Sequence, residues 1–407
     1  SIMNIESLPP DFVLQLKSLL GTEADELNAT ILRGSTPVSI RLNPKKDIPL
    51  PENEGTILWS NNGYYLKERK SFTLDPLFHA GGYYVQEASS MLVEWMVRLL
   101  LQEMRSPKVL DLCGAPGGKS TLLQSALPDD ALIVSNEVIR SRYHILRENL
   151  IKWGYPNKVL TNLDATAFEQ VPGFFDMVLV DAPCSGEGLF RKDPDAVQEW
   201  SSDNQQLCAG RQKRILANAA KSLRQGGFLV YSTCTYNPEE NEINVQWLKE
   251  TFGFESIIPE LPESWGVLPM GAGFQCFPHR VKGEGFYVAC LKQTKESGSS
   301  KKTKKHDKNN IRRILSDKES QPVLPWLKNS DNLILTANEQ GLVRVWPDTI
   351  HEAVMEILEI FPGAEPGTAI GQLIREEFIP AQDLIMSTLL SSYIRLYELD
   401  KTTALHC

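Results

Sequence analysis

Val109-Leu110-Asp111-Leu112-Cys113-Gly114-Ala115-Pro116-Gly117-Gly118-Lys119-Ser120 runs from an apolar stretch through a glycine-rich loop into helix-favouring residues. A strand, a tight loop and a helix form the repeating unit of open parallel sheets, which receive ligands beyond the carboxyl ends of their strands. The alternation continues outward from this stretch. Strand-like runs at 109–112, 131–134, 158–161, 175–180 and 227–231 are separated by helical stretches that include 120–125, 140–153 and 205–223. Regular alternation of this kind predicts a parallel sheet covered on both faces. Residues 285–291 are expected to close it as an antiparallel edge.

Gly114, Gly117 and Gly118 are expected to let backbone approach a ligand closely, and Pro116 to stiffen the turn. Gly118-Lys119-Ser120 ends like a phosphate-gripping Walker loop, and 177–181 resembles the strand and aspartate that hold magnesium in nucleoside triphosphatases. That spacing, however, requires glycine at position 113, where this chain has Cys113. Glu137 follows the second strand, where a carboxylate would grip a ribose hydroxyl pair. Asp164 follows the third, positioned for an adenine amino group. Loop, acid and acid on three successive strand ends describe a nucleoside cofactor without a triphosphate, and S-adenosylmethionine fits. A plainer reading makes Glu137 and Asp164 helix caps.

Two further strand ends carry thiols. Cys184 lies in Asp181-Ala182-Pro183-Cys184, ahead of a loop expected to leave it exposed. Cys234 follows Tyr231-Ser232-Thr233 and precedes 235–242, which reads as a helix start with Pro238 in its first turn. A nucleophilic cysteine needs a lowered pKa from a helix N-terminus or a nearby cation. Carbon 5 of cytosine is one target that would need both a sulfur nucleophile and a methyl donor. Thiolate addition at carbon 6 makes carbon 5 enamine-like, and Asp181 is placed to stabilise charge near ring nitrogen 3. An amino-group methylase would instead show Asn or Asp followed by Pro-Pro-aromatic at this strand end.

At 407 residues the chain exceeds one ordinary core and should divide into two or three domains. No apolar run is long enough to cross a bilayer and no basic-then-apolar leader opens the chain, so a cytoplasmic protein is expected. Its seven cysteines are odd in number, scattered and never spaced Cys-x-x-Cys, which argues against zinc and disulfides and predicts no metal. The net charge of −9 does not exclude a nucleic-acid partner, because 292–313 carries nine Lys or Arg against Glu296 and Asp307. Such a run also reads as a solvated linker. Residues 36–44 alternate as a half-buried strand would. Near the C-terminus, 354–360 is amphipathic, 363–371 reads as a glycine-rich turn region, and 383–390 as helical.

Taken together, these motifs resemble the Sun/Fmu family of RNA cytosine-5 methyltransferases, and within it the RsmF-type enzymes of bacterial small-subunit ribosomal RNA. The resemblance rests on Gln86-Glu87-Ala88-Ser89-Ser90, the 114–119 loop, Asn136-Glu137 with Arg142 and Asn149, Asp164, 181–186, and Ser232-Thr233-Cys234-Thr235. Many members carry Cys-Ala-Ala-Pro where this chain has Cys113-Gly114-Ala115-Pro116. The resemblance implies a Rossmann-like S-adenosylmethionine-dependent core at 96–293. It implies an N-terminal α+β RNA-binding domain at 1–95, a basic linker at 294–310 and a PUA-like RNA-binding domain at 311–407. Residues 113–119, Glu137, Arg142, Asp164 and Asp181 would line the cofactor pocket. Cys234 would be the nucleophile, Cys184 would help release product, and Lys119 would support the site electrostatically. The partner would be RNA, most simply 16S rRNA within or outside the small subunit, acted on by a monomer with no membrane. Transfer RNA as substrate, an RNA-dependent ATPase, and a non-catalytic RNA-binding protein are the alternatives.

If the basic run grips RNA, neutralising Lys301, Lys302, Lys304 and Lys305 should lower RNA affinity and flatten its dependence on salt. Binding titrations at several ionic strengths check this, and an unchanged slope returns the run to a plain linker.

Overall fold

In the computed structural model, which describes residues 7–298 and 312–392, the apolar runs become the middle of a large sheet. Val109, Leu110, Val178 and Leu179 have no exposed surface, as strands covered on both faces require. Five strands run parallel in the spatial order Lys158–Thr161, Leu132–Asn136, Lys108–Asp111, Phe175–Asp181 and Leu223–Thr233. Chain order reverses between Lys108–Asp111 and Phe175–Asp181. The loops leaving those two strands therefore diverge and open a crevice at their carboxyl ends. Helices Gly118–Ala126, Arg140–Trp153 and Ser202–Ser222 make the crossovers. The middle one buries Tyr143, Leu146, Leu150 and Trp153 at helical spacing, and ends at Gly154 with φ 87°. A side chain at Gly154 would meet the Met386 carbonyl at 2.5 Å, so the helix end and the C-terminal unit both require glycine there.

Phe286–Lys292 is antiparallel to Leu223–Thr233 but is not an edge. Gly273–Cys276 and Leu268–Met270 extend the sheet beyond it, and Glu255–Ile257 pairs along the rest of its length. Strands this short carry too little periodicity to be read in sequence. The helix expected after Cys234 starts later as well, at Glu242–Phe252, with 235–241 forming a hydrogen-bonded loop.

The N-terminal unit has helices Pro10–Leu20 and Ala24–Arg33, whose apolar residues cluster with Phe190, Tyr236 and Phe277, and a four-stranded antiparallel sheet in the order Gly55–Thr56, Gly63–Leu66, Val38–Leu42, Tyr83–Val85. The 36–44 stretch is not half-buried. Its polar positions Ser39, Arg41 and Asn43 face protein, and Arg41 has no exposed surface. The guanidinium donates to Gln86 Oε1 at 2.8 Å, to the Gly118 carbonyl at 2.9 Å and to Thr121 Oγ1 at 2.5 Å, and lies over the Trp153 ring at 4.9 Å. Burial lowers its pKa to about 10. One arginine thus ties the N-terminal sheet to the first turn of the helix behind the glycine loop.

The C-terminal unit has a five-stranded antiparallel sheet in the order Arg313–Ile314, Leu333–Ala337, Leu342–Pro347, Thr368–Ile374, Glu377–Pro380. Residues 363–371 are more than a turn. Glu365–Pro366 pairs antiparallel with Lys158–Thr161 and becomes an edge strand of the central sheet, where proline is tolerated. Helix His351–Ile360 sends Val354 and Ile357 into the same apolar cluster as Phe168 and Val159. The helical stretch near 383 is short, Gln382–Met386. Thr294 and Ser297 still bond to the body, through Gly253 and Leu223 carbonyls. Lys301, Lys302, Lys304, Lys305 and Cys407 lie outside the described residues. Among the described residues no helix is long and apolar enough to cross a membrane, and no cluster of three metal-ligating side chains occurs.

Replacing Arg41 by Ala removes the donor to Gln86 Oε1 and one of the donors to the Gly118 carbonyl, and leaves a void in a dry interior. Stability should fall by about 3 kcal/mol, read from chemical denaturation midpoints.

Candidate active site

Each strand of the parallel sheet delivers one group to the crevice. Lys108–Asp111 leads to Cys113, Ala115 and Pro116, Leu132–Asn136 to Glu137, and Lys158–Thr161 to Asp164. Phe175–Asp181 ends in Asp181 and continues to Cys184, and Leu223–Thr233 hands on to Cys234. All of these, with Lys119 and Arg142, line a single cavity of about 1200 Å³. Gly114, Gly117 and Gly118 do not line it. A Cβ on each would meet protein instead: Asn136 and Leu146 at 3.1 Å, Asn149 at 3.3 Å, Tyr84 at 3.3 Å. Their smallness seats the loop against its own neighbours, and Gly117 also has φ 123°.

The two thiols come together through strand register. Asp181 lies opposite Ser232 in the parallel pair, so the chains leave the sheet side by side. Cys184 Sγ and Cys234 Sγ are 3.0 Å apart, each half-buried. Gly188 then folds its amide onto the Cys234 carbonyl at 2.8 Å, and a side chain at 188 would strike the Gly285 carbonyl at 2.3 Å. Cys184 is not the low-pKa thiol that a nucleophile requires. Its hydrogen bond to Cys234, and burial, hold it well above the ordinary range, so it keeps its proton. Burial likewise raises Cys113.

Lys119 donates to Asp181 Oδ2 at 2.8 Å and stands 5.4 Å from the centre of the Phe286 ring. Burial pulls its ammonium down, but the Asp181 carboxylate and the Cys234 sulfur outweigh that, and its pKa rises. The other Asp181 oxygen accepts from Ser232 at 2.8 Å. Asp181 therefore sits beside the thiols with both oxygens oriented by the protein.

Across the crevice, Glu137 and Asp164 both line the cavity, and Asp164 also caps the short helical turn that follows it. Asp164 Oδ1 accepts from the Thr166 amide at 3.0 Å and Glu137 Oε2 from the Ile139 amide at 3.1 Å. Thr166 hydrogen bonds hold Asp164 below its usual value. Arg142 donates to the Ala115 carbonyl at 3.1 Å and approaches Glu137 at 3.8 Å. Val138 and Ile139 are half exposed at this end. Sequence reading passed over them, although two apolar residues directly after a cofactor-facing acid are a usable signal. Phe286 was likewise not singled out, and Ser232 entered only as part of a motif.

The sheet and its crevice define an α/β protein of the S-adenosylmethionine-dependent methyltransferase type. Residues 98–292 match the family model described as 16S rRNA methyltransferase RsmB/F, and residues 8–88 match the N-terminal domain of 16S rRNA methyltransferase RsmF. The chain belongs to the RsmB/F family. It is 40% identical over 258 residues to a ribosomal RNA small subunit methyltransferase F of Escherichia coli O127:H6, covering 58% of this chain and 51% of that protein. It thus spans about half the length of the curated relatives it matches. A methyltransferase homolog from Pyrococcus horikoshii is 27% identical with TM-score 0.59, over 69% of this chain and 94% of that one. NSun6 from the same organism, solved with SFG, shares the fold with TM-score 0.62 at 20% identity, over 72% and 100%.

Asp111 lies beneath the cavity, fully buried, bonded to Ser120 Oγ at 2.6 Å. Burial, reinforced by Asp181, pushes its carboxyl up to about 7 from the ordinary 3.8, against the Ser120 bond. The folded chain therefore holds this proton more tightly than the unfolded chain, and stability falls as pH rises from the ordinary value through the raised one. Asp111→Asn removes that dependence. Its stability advantage over the natural chain should grow by about 4 kcal/mol between about pH 4 and about pH 8. Thermal midpoints across that range check it, and a constant difference would contradict the raised pKa.

Proposed function

We propose that the chain methylates carbon 5 of a cytosine in RNA, with 16S rRNA as substrate, through a covalent bond between Cys234 and carbon 6 of the ring. The observation that carries this reading is the pair of sulfurs 3.0 Å apart on neighbouring strand ends, in the cavity that also holds Lys119, Asp181 and the acids. Binding alone needs neither thiol. The acid-lined end suits a cationic nucleoside donor: among the described residues Asp164 keeps one carboxylate oxygen without a hydrogen-bond partner, and Val138 and Ile139 offer apolar surface beside it. S-adenosylmethionine bound there supplies the methyl group. Cys113, Ala115, Pro116, Lys119, Glu137, Arg142, Asp164 and Asp181 would hold it.

The chain's own residues divide the remaining work. The Cys234 sulfur adds to carbon 6 as its own proton leaves, and the displaced ring electrons are held at nitrogen 3 by a proton from the Lys119 ammonium relayed through Asp181. Carbon 5, now nucleophilic, takes the methyl. A general base takes the carbon 5 proton, and the electron pair left behind re-forms the ring double bond and expels the Cys234 sulfur with its own electron pair. Cys184, held as a thiol against that sulfur, donates a hydrogen bond to it as it leaves. The alternative of a phosphate-loop ATPase has less support, since Cys113 occupies the first glycine of that motif and Lys119 is engaged by Asp181.

The C-terminal unit, through its small antiparallel sheet, and the N-terminal unit are read as RNA-binding, the former PUA-like. The thiol assignment makes a paired prediction. Cys234→Ala should abolish methyl transfer, whereas Cys184→Ala should leave addition intact and accumulate RNA-linked protein on denaturing gels. Adduct with Cys234→Ala and none with Cys184→Ala would reverse the roles. Bisulfite sequencing of ribosomal and transfer RNA from cells with and without the protein identifies the target.

A further inference from the structure

Two glutamates with no exposed surface lie under the thiols and are left unused by the chemistry above. Glu187 belongs to the loop that carries Cys184, yet it holds the other loop. Its carboxylate accepts from Thr235 Oγ1 at 2.6 Å, the Tyr236 amide at 3.1 Å and the Asn237 amide at 3.0 Å, all just beyond Cys234. Glu240 belongs to the Cys234 loop and holds the Cys184 loop in return. It accepts from the Ser185 amide at 2.8 Å and Ser185 Oγ at 2.5 Å. Gln212, on the crossover helix, donates to Glu240 at 3.0 Å and to the Pro183 carbonyl at 2.9 Å. Both peptide groups flanking Cys184 are therefore fixed by the Glu240–Gln212 pair. Thr235 and Ser185 hydroxyls meet at 2.8 Å where the two loops touch.

Burying two carboxylates side by side is unfavourable unless donors surround them, and burial does raise the Glu240 carboxyl. A fold that needed only a stable loop could fill this volume with hydrocarbon. What crossed carboxylates add is directional: each loop's position is set by an acceptor borne on the other, so the loops cannot drift apart independently. We propose that Glu187 and Glu240 are positioning residues for the reaction, Glu187 aiming Cys234 for addition and Glu240 aiming Cys184 for release. The assignment rests on the thiol chemistry proposed above.

Replacing either glutamate by Gln keeps the shape but puts an amide donor among donors. The assay uses the full chain with S-adenosylmethionine and a 16S rRNA transcript, with Cys184→Ala and Cys234→Ala run beside it. Glu240→Gln should lower kcat about 10-fold and raise the trapped adduct about 3-fold, with cofactor affinity by calorimetry within about 2-fold. Glu187→Gln should lower kcat without any rise in adduct. Where a glutamate variant does not fold, Gln212→Ala reads the release arm and Thr235→Val the addition arm, with the same directions expected. Identical adduct behaviour in the two arms, or cofactor affinity falling in step with kcat, reduces the glutamates to structural supports and overturns the proposal. If Cys184→Ala itself traps no adduct, the thiol chemistry fails; if it does and the release arm does not, only the positioning role fails.

Discussion

The register between Phe175–Asp181 and Leu223–Thr233 governs most of what the crevice contains. Because Asp181 pairs with Ser232, the hydroxyl that orients the aspartate is its direct neighbour across the ladder. The same pairing releases the two chains in step, three residues before Cys184 and two before Cys234. A slip of one residue would send every side chain of the strand to the opposite face. Val178, Val180 and Leu229 would leave one apolar cluster, and Met177, Leu179 and Val230 the other. The chemistry of the crevice is thus secured by hydrocarbon on both faces of the sheet, well away from any reacting atom.

A second constraint comes from the far edge. Glu365 lies on the edge strand contributed by the C-terminal unit and accepts from Tyr143 and, at 3.0 Å, from Arg147 on the helix that starts at Arg140. Arg344 reaches the same carboxylate at 3.4 Å. That helix also carries Arg142, which bonds the Ala115 carbonyl of the glycine loop. The C-terminal unit is accordingly continuous with the core beside the crevice. Its helix shares the apolar cluster with Phe168, whose ring lies 5.6 Å from that of Phe361. On the proposed reading, any RNA gripped by this unit would be held by a body rigidly joined to the cofactor end of the cavity.

The parts legible in the sequence were those that repeat or sit at fixed offsets. The five parallel strands announced themselves by apolar runs, and the strand-end positions of Cys113, Glu137, Asp164, Asp181, Cys184 and Cys234 followed from counting along them. The parts that escaped were polar residues whose partners lie far away in sequence. Arg41 on an alternating strand looks solvent-facing, and only the fold brings Gly118 and Thr121 to it, nearly eighty residues on. Glu187 and Glu240, set among Gly, Asn and Pro, look like solvated loop acids, yet both are buried. Glu365–Pro366 is two residues long and lies next to glycine, so its strand exists only because Lys158–Thr161 offers an open edge.

Protonation explains why a pair of cysteines is useful where one would suffice for addition. Two thiolates 3.0 Å apart would repel strongly in a half-dry site, so at least one of the pair keeps its proton. The contact with Cys234, and burial, raise Cys184, so it is the sulfur that stays a thiol. The nearby ammonium of Lys119 carries a positive charge that favours negative charge on Cys234 as well as on Asp181. On the proposed reading, a sulfur that first attacks a ring and later departs from it needs an environment that accepts its negative charge both times. A thiol on one side and a buried ammonium on the other would supply it.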